Sequence, residues 1–483
     1  MASRRPPATN ARRRKLSPVG NSWYRGLHVP QMQLPEATVT ALCFFDQPPA
    51  KDLVVKEFQQ HIWPLARFSS IVQNGYWVKE DGPLDESYHF REQTVRDESE
   101  IDRWAQSVMS EPLDKSRPLW TVTILKASSG RSALVLRIHH AISDGLGLLF
   151  AFFPMMQCAK GDIRDYIPLP AALLGKSKAS TSSSSSSRPT QEVQSRPGCL
   201  ARFCSFLCNG PRRVAACCRG IFSLLVVPVD SSIKINAPLE QRQPFLPYSG
   251  RHTFTRMTPV PMTLIKEVRA KHACTVNDVI MGALAGAIRR YCAEELQDPL
   301  LQAGGGQAAV ECKCTMLMAL PRAVDASDPC ASLCNKIVTP IFKLPVGEAT
   351  APVRLQKAVE MGNNLKSLPY IAGIKATTGF VSAVAPTGLS RKIASEAISK
   401  LTCNVTSLPM CTEPVMCFGK ELKELQVLFV NNIPQISMMT YNGMLHWNII
   451  CDPSLVPEPA TLGRLFLAEI RELAEAAPTT IGA

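Results

Sequence analysis

Apolar and polar positions mark out the elements of this chain. Thr38 to Phe45 reads as a strand, and Lys56 to Phe68 and Ile101 to Met109 are predicted as helices. Leu119 to Leu125 and Ser132 to Ile138 are largely apolar runs of strand length. They flank the turn cluster Ser128-Ser129-Gly130, so a hairpin is predicted. Leu146 to Met156 follows as an apolar stretch long enough for a helix. Further on, Arg251 to Thr258 has strand character and Met262 to Lys271 reads as a helix. Thr275 is placed to cap the next helix, Val276 to Tyr291, with Asp278 at the third position of a capping-box-like arrangement. Gly282, Ala283, Ala285, Gly286 and Ala287 would let that helix lie close to another element. Cys314 to Leu320 and Gln435 to Tyr441 read as strands. Asn442-Gly443 turns the second into Met444 to Ile450. Leu462 to Ala476 is an amphipathic closing helix with Pro478 beyond its end. Irregular alternation of strands and helices favours an α/β fold of mixed α+β layers over a doubly wound sheet.

The pattern breaks in the middle. Lys176 to Pro197, with the serine run Ser182 to Ser187, reads as a solvated low-complexity linker. Cys199 to Val229 then mixes apolar residues and five cysteines with Arg202, Arg212, Arg213 and Arg219. Its longest uncharged run, Gly220 to Val229, is too short to span a bilayer core of ~30 Å. A basic, apolar, Gly/Pro-broken stretch suits a membrane-surface anchor with palmitoylatable cysteines; a helical hairpin packed on the protein core is the alternative. The expected division is a basic disordered arm at 1–15, a first half at 16–170, linker and insert at 171–250, and a second half at 251–483. A chain of 483 residues accommodates two domains of ordinary size.

Composition adds little beyond this. With 46% hydrophobic and 19% charged residues the chain is globular. Part of the net charge of +13 sits in the N-terminal arm, which could meet anionic lipid or serve only as a solubilising tail. No nucleic-acid motif accompanies the charge, so no nucleic-acid partner is expected. No apolar h-region follows the first arginines, so no secretory signal is expected, and the seventeen cysteines are read as reduced. They lack paired CxxC spacing, so neither a metal site nor a disulfide framework is expected. Glycine-rich nucleotide loops and GxSxG are absent.

Candidate chemistry concentrates at His139-His140-Ala141-Ile142-Ser143-Asp144-Gly145. A histidine held by a turn at the end of a strand is positioned to act as a general base, since neutral imidazole accepts a proton near pH 7. On simpler readings Asp144 is the N-cap of the next helix and Gly145 a turn residue.

Several segments in order resemble the wax ester synthase/acyl-CoA:diacylglycerol acyltransferase family, within the CoA-dependent acyltransferase superfamily. Leu16-Ser17-Pro18 is similar to its opening LSP element. Pro112-Leu113-Asp114 with Arg117-Pro118-Leu119-Trp120 is similar to PLDxxxPLW, and His139 to Gly145 is the HHxxxDG motif. Asn277-Asp278-Val279 matches the ND helix, Asn404-Val405 the start of NVPGP, and Tyr441-Asn442-Gly443 the late SYxG hairpin. The chain departs from NVPGP at Thr406-Ser407-Leu408, which puts the loop shape and substrate choice of that element in question.

The resemblance implies two chloramphenicol-acetyltransferase-like halves with a tunnel at their interface. It implies O-acyl transfer from a long-chain acyl-CoA to a fatty alcohol or diacylglycerol. His140 would be the base, His139 a packing residue or secondary participant, and Asp144 a turn-holding partner of an arginine, with Arg322 the candidate. Asn277 would stabilise the oxyanion or support the site. Trp120, Gly145, Asp278 and Asn404 would shape the site. No cofactor is implied, acyl-CoA being a substrate. A membrane-associated location is expected, at the cytosolic face of the endoplasmic reticulum or a lipid droplet. Competing readings are a condensation-type enzyme with a carrier-protein donor and an inactive lipid-binding relative. The acceptor, chain length and oligomeric state are not legible in the sequence.

Overall fold

The computed structural model describes residues 13–25, 36–169, 214–220, 233–235, 249, 251–302, 310, 312–322, 332–384, 389, 401–431 and 433–478. Two mixed sheets dominate. The first has five described strands in the order Glu424–Phe429, Thr38–Phe45, Ser132–His139, Trp120–Ala127, Phe90–Val95. All neighbours are antiparallel except the last pair. The predicted hairpin forms, with Trp120 opposite Ile138 and Gly130 at φ +74° in its turn. All eight residues of Ser132–His139 are buried, because both faces of that strand are covered. Ala133 and Val135 pack with Ile101 and Ala105 of the helix Glu98–Val108, while Leu134, Leu136 and Ile138 look the other way into a cavity.

The second sheet carries Cys403–Pro409 between two parallel neighbours, Cys312–Met316 and Gln435–Tyr441. The latter turns through Asn442 and Gly443, both at positive φ, into Met444–Cys451. Helix Val276–Arg290 packs against this half, buried continuously from Asp278 to Ile288. Its small residues permit the expected close approach: a Cβ at Gly282 would lie 3.2 Å from Leu355 Cα of the helix Ala351–Leu365.

The structure departs from the sequence reading in several places. Helix Lys56 to Phe68 is instead Lys51–His61, because Pro64 cannot continue a helical ladder. Cys314 to Leu320 is two strands, Cys312–Met316 and Met318–Ala319. Arg13–Lys15, expected in the disordered arm, pair as an edge strand with Tyr76–Val78. Residues 233–235, expected in the linker, place Ile233 and Ile235 in the core of the second half. Within the cysteine-rich insert, helical residues 214–220 pack on the helix Leu368–Val384. Gly220 and Gly373 are so close to the partner backbone that a Cβ on either would lie 2.3 Å from a carbonyl oxygen. The serine linker and the rest of the insert lie outside the described residues. The halves are also not sequential: Glu424–Phe429 crosses back to complete the first sheet, and Val415–Cys417 pairs with Met156–Cys158.

Candidate active site

A cavity of 380 Å³ lies where the two halves meet, within the range of ligand sites (about 300–1,000 Å³). One wall is the inner face of the first sheet. Ala41 pairs with Leu136 on one side and Val427 on the other, and two residues along the same face carries Val39, Ile138 and Phe429. The opposite wall comes from the second half, through Met316, Thr406, Leu408, Ser437 and Met439. His140 opens onto this cavity from the end of the motif strand.

The turn that follows is clamped from both halves. Arg67 Nη1 donates to Ile142 O at 2.7 Å, and Ser143 Oγ donates to Cys334 O at 3.2 Å. Asp144 caps the helix Gly145–Phe152 through Gly147 N–H at 3.0 Å. It also pairs with Arg322 Nη2 at 2.8 Å, with both side chains almost fully buried, and accepts Lys336 N–H at 2.8 Å. Both readings of Asp144 are therefore realised in one side chain. Among the described residues neither of its oxygens bonds the imidazole. Gly147 must be glycine, because a Cβ there would lie 2.1 Å from Ser143 Oγ and 2.8 Å from Ser332 O. Gly145, the first residue of this helix, lines the cavity beside Leu408.

The two histidines are held in opposite protonation patterns. Asn335 Nδ2 donates to the carbonyls of His140 (2.9 Å) and Ala141 (3.4 Å), so Asn335 Oδ1 is the acceptor that faces His140 Nδ1 at 3.1 Å. His140 therefore carries its proton on Nδ1 and keeps a lone pair on Nε2. His139 is the reverse: its Nδ1 accepts Ala141 N–H at 3.0 Å. Burial lowers the pKa of His140, opposed by the charge of Asp144 and the Asn335 contact. Burial, aided by Lys115 and His140, brings His139 down to about 3. Both rings are thus neutral at pH 7. Trp23, on the helix Pro18–Arg25, stacks on the His140 ring at 4.8 Å and meets Phe429 edge-on at 5.8 Å.

The other expected residues divide. Asn277 lines the cavity. Asp278 does not: its carboxylate accepts Thr275 N–H at 2.9 Å, completing the capping box that sets the start of the Asn277 helix. Trp120 does not line the cavity, its Nε1 donating to Phe68 O at 2.8 Å and its ring stacked on His89 at 3.9 Å. It adjoins two lining residues, Phe58, on which its ring stacks at 5.4 Å, and its register partner Ile138. Asn404 is also set back, buried in a strand and not in the expected loop, with Nδ2 donating to Gln435 Oε1 at 2.7 Å. Thr406 to Pro409, further along that strand, line the cavity instead. Sequence reasoning missed Asn335, Arg67, Trp23 and Gln435. None sits in a spacing that points to His140, since Asn335 is 195 residues away.

Two mixed lobes around an apolar cavity with a histidine at its edge define a two-lobed class of α/β fold, and comparison with known proteins agrees. The wax ester synthase/diacylglycerol acyltransferase catalytic domain matches residues 59–280, and the WS/DGAT C-terminal domain matches residues 333–474. The chain belongs to the wax ester synthase/diacylglycerol acyltransferase family, a family of acyltransferases. A candidate diacylglycerol O-acyltransferase of Mycobacterium tuberculosis is 25% identical over 254 residues, 49% of each chain. Wax ester synthase/diacylglycerol acyltransferase 4 of Arabidopsis thaliana is 24% identical over 255 residues, 50% of this chain and 46% of that one. The chain thus spans about half the length of the curated relatives it matches. The wax ester synthase/diacylglycerol acyltransferase of Marinobacter aquaeolei VT8 shares the fold at TM-score 0.60 and 15% identity, over 95% of this chain and 98% of that one. The first condensation domain of the CDA synthetase does so at TM-score 0.55 and 11% identity, over 98% of both.

Proposed function

We propose that the chain transfers a long-chain acyl group from acyl-CoA to the hydroxyl of a fatty alcohol or diacylglycerol, with His140 as general base. The observation that carries this reading is a neutral imidazole at the edge of a largely apolar cavity, with Nδ1 taken by Asn335 and no partner on Nε2 among the described residues. Nε2 takes the proton of the acceptor hydroxyl as its oxygen bonds to the thioester carbonyl carbon. The tetrahedral intermediate collapses, the C–S bond breaks, and the imidazolium returns the proton to the CoA sulfur. Base catalysis of this kind contributes roughly 10²–10⁴ in rate. Asn277, on the cavity wall, is the candidate donor to the oxyanion. Asp144 and Asn335 touch the turn and the ring and act as positioning residues. No covalent acyl-enzyme is required.

The test is purified protein with a labelled long-chain acyl-CoA and either acceptor. Ester and free CoA in equal amounts are expected. Transfer only from a carrier-protein thioester would move the chain to the condensation type instead.

The same reading includes attachment to a membrane surface, at the endoplasmic reticulum or a lipid droplet. No helix among the described residues is long and apolar enough to cross a membrane. Support comes from the helix pair of 214–220 and Leu368–Val384, which exposes Val214 (63%) and Leu368 (79%). Deleting 199–229 is expected to shift the protein from the membrane to the supernatant fraction. An unchanged distribution rules the anchor out.

A further inference from the structure

The two cavity walls differ in chemistry. The first-sheet wall presents aliphatic, aromatic and thiol side chains up to His140, whereas the second-half wall sets Asn277, Thr406, Ser407 and Ser437 among Met316, Leu408 and Met439. Thr406 and Ser437 are register partners on neighbouring parallel strands, so their side chains share one face. Behind them sits Gln435, fully buried, with its amide orientation fixed by the backbone: its Nε2 donates to Ile436 O at 3.3 Å, a group that can only accept, and its Oε1 accepts from Asn404 Nδ2 at 2.7 Å. The second proton of the same Nε2 faces the hydroxyls, donating to Thr406 Oγ1 at 3.2 Å, with Ser437 Oγ beside it at 3.5 Å, the limit of a hydrogen bond.

A hydroxyl that accepts from an amide still has its own proton to give. Among the described residues neither hydroxyl donates to a protein acceptor. Two donors therefore remain available in a cavity otherwise suited to hydrocarbon, where an unpaired polar group is costly. The group they fit is one that only accepts. A fatty alcohol has a single oxygen, consumed at His140. A diacylglycerol brings two ester carbonyls, which accept and cannot donate.

We propose that the Thr406–Ser437 hydroxyl pair, held by Gln435, binds an ester carbonyl of a glyceride acceptor and makes diacylglycerol the preferred acceptor. This rests on the acyltransferase reading and deepens it. It also falls where the chain departs from the NVPGP pattern that Asn404-Val405 begins, which would place proline, without a hydroxyl, where Thr406 stands.

The test uses the full chain, one long-chain acyl-CoA, and diacylglycerol or hexadecanol as acceptor. Thr406→Val and Ser437→Ala remove a hydroxyl with little change of shape, and Thr406→Ser restores one. Each removal is expected to lower kcat/KM for diacylglycerol roughly 10-fold, mainly through KM, with hexadecanol changed by no more than about twofold. Thr406→Ser is expected to recover most of the loss. Equal loss with both acceptors, no loss with either, or a wild-type preference for hexadecanol overturns the proposal while leaving acyl transfer standing. Wild-type protein that forms no ester with either acceptor overturns the acyltransferase reading, and the acceptor proposal falls with it.

Discussion

His140 is defined as much by its partners as by its motif. Asn335 ties the ring to the backbone of the turn that carries it, so one side chain sets both position and tautomer. Asn335→Leu is expected to lower kcat about 10–100-fold, in the range of outer partners that orient a reactive imidazole, with KM unchanged. Asn335→Asp gives a different signature. A carboxylate facing Nδ1 favours imidazolium, so the base is lost at higher pH. In the wild type, burial holds the His140 pKa below its ordinary value. Activity should therefore be flat through neutrality and fall only on the acid side of ~6.5; the Asp variant should move that limb upward. Superimposable pH–rate profiles would contradict the assignment. Arg322 makes a stability prediction. Replacing it with Met leaves the buried Asp144 carboxylate without its cation, which costs about 3–5 kcal/mol. Denaturant unfolding reads that loss directly.

At the scale of elements, the wall built from Thr38–Phe45, Ser132–His139 and Glu424–Phe429 forms the apolar side of the cavity. From Phe429, near His140, to Leu425 it extends about 13 Å at ~3.3 Å per residue. Ala41 lies at its middle. Ala41→Phe is expected to cut transfer of long acyl chains at least ~10-fold while short chains remain substrates, a split read by competing acyl-CoAs of different length. Uniform loss at every length contradicts the placement of the acyl chain along this wall.

Elements that follow local rules were legible in the sequence. Met262–Lys271 and Gln435–Tyr441 have the expected bounds, the Thr275 capping box forms, and Asn442-Gly443 makes its turn. The motif strand and the Asp144–Arg322 partnership were legible too, through a rare seven-residue pattern and the family it resembles. What stayed hidden was non-local. No period in Glu424–Phe429 says that it pairs with a strand about 380 residues earlier, and the motif strand Ser132–His139 buries both faces, which erases the alternation that would reveal the cavity side. Asn404 and Asp278 were assigned to the site because of their motifs; one lies inside a strand and the other in a helix cap.

Across the whole molecule, the interleaved halves bury several neutral histidines. Burial brings His89 down to about 4 and His139 to about 3, and lowers His140 and His446. In the unfolded chain each titrates near ~6.5, so below that pH the unfolded state binds more protons. This contribution to stability is complete above ~6.5 and is lost progressively as pH falls toward the folded-state values. Tm should drop between pH 7.5 and 5.5, a range above ordinary carboxylate titration; a flat Tm across it contradicts the buried, neutral state of these rings.

The central claim is that the imidazole of His140 removes the acceptor proton. The most direct measurement is the neutral-lipid profile of a host without neutral lipids, expressing the wild type or His140→Ala at equal folded levels. Newly formed triacylglycerol or wax ester is expected with the wild type and none above background with the variant. The same product from both proteins would contradict that claim.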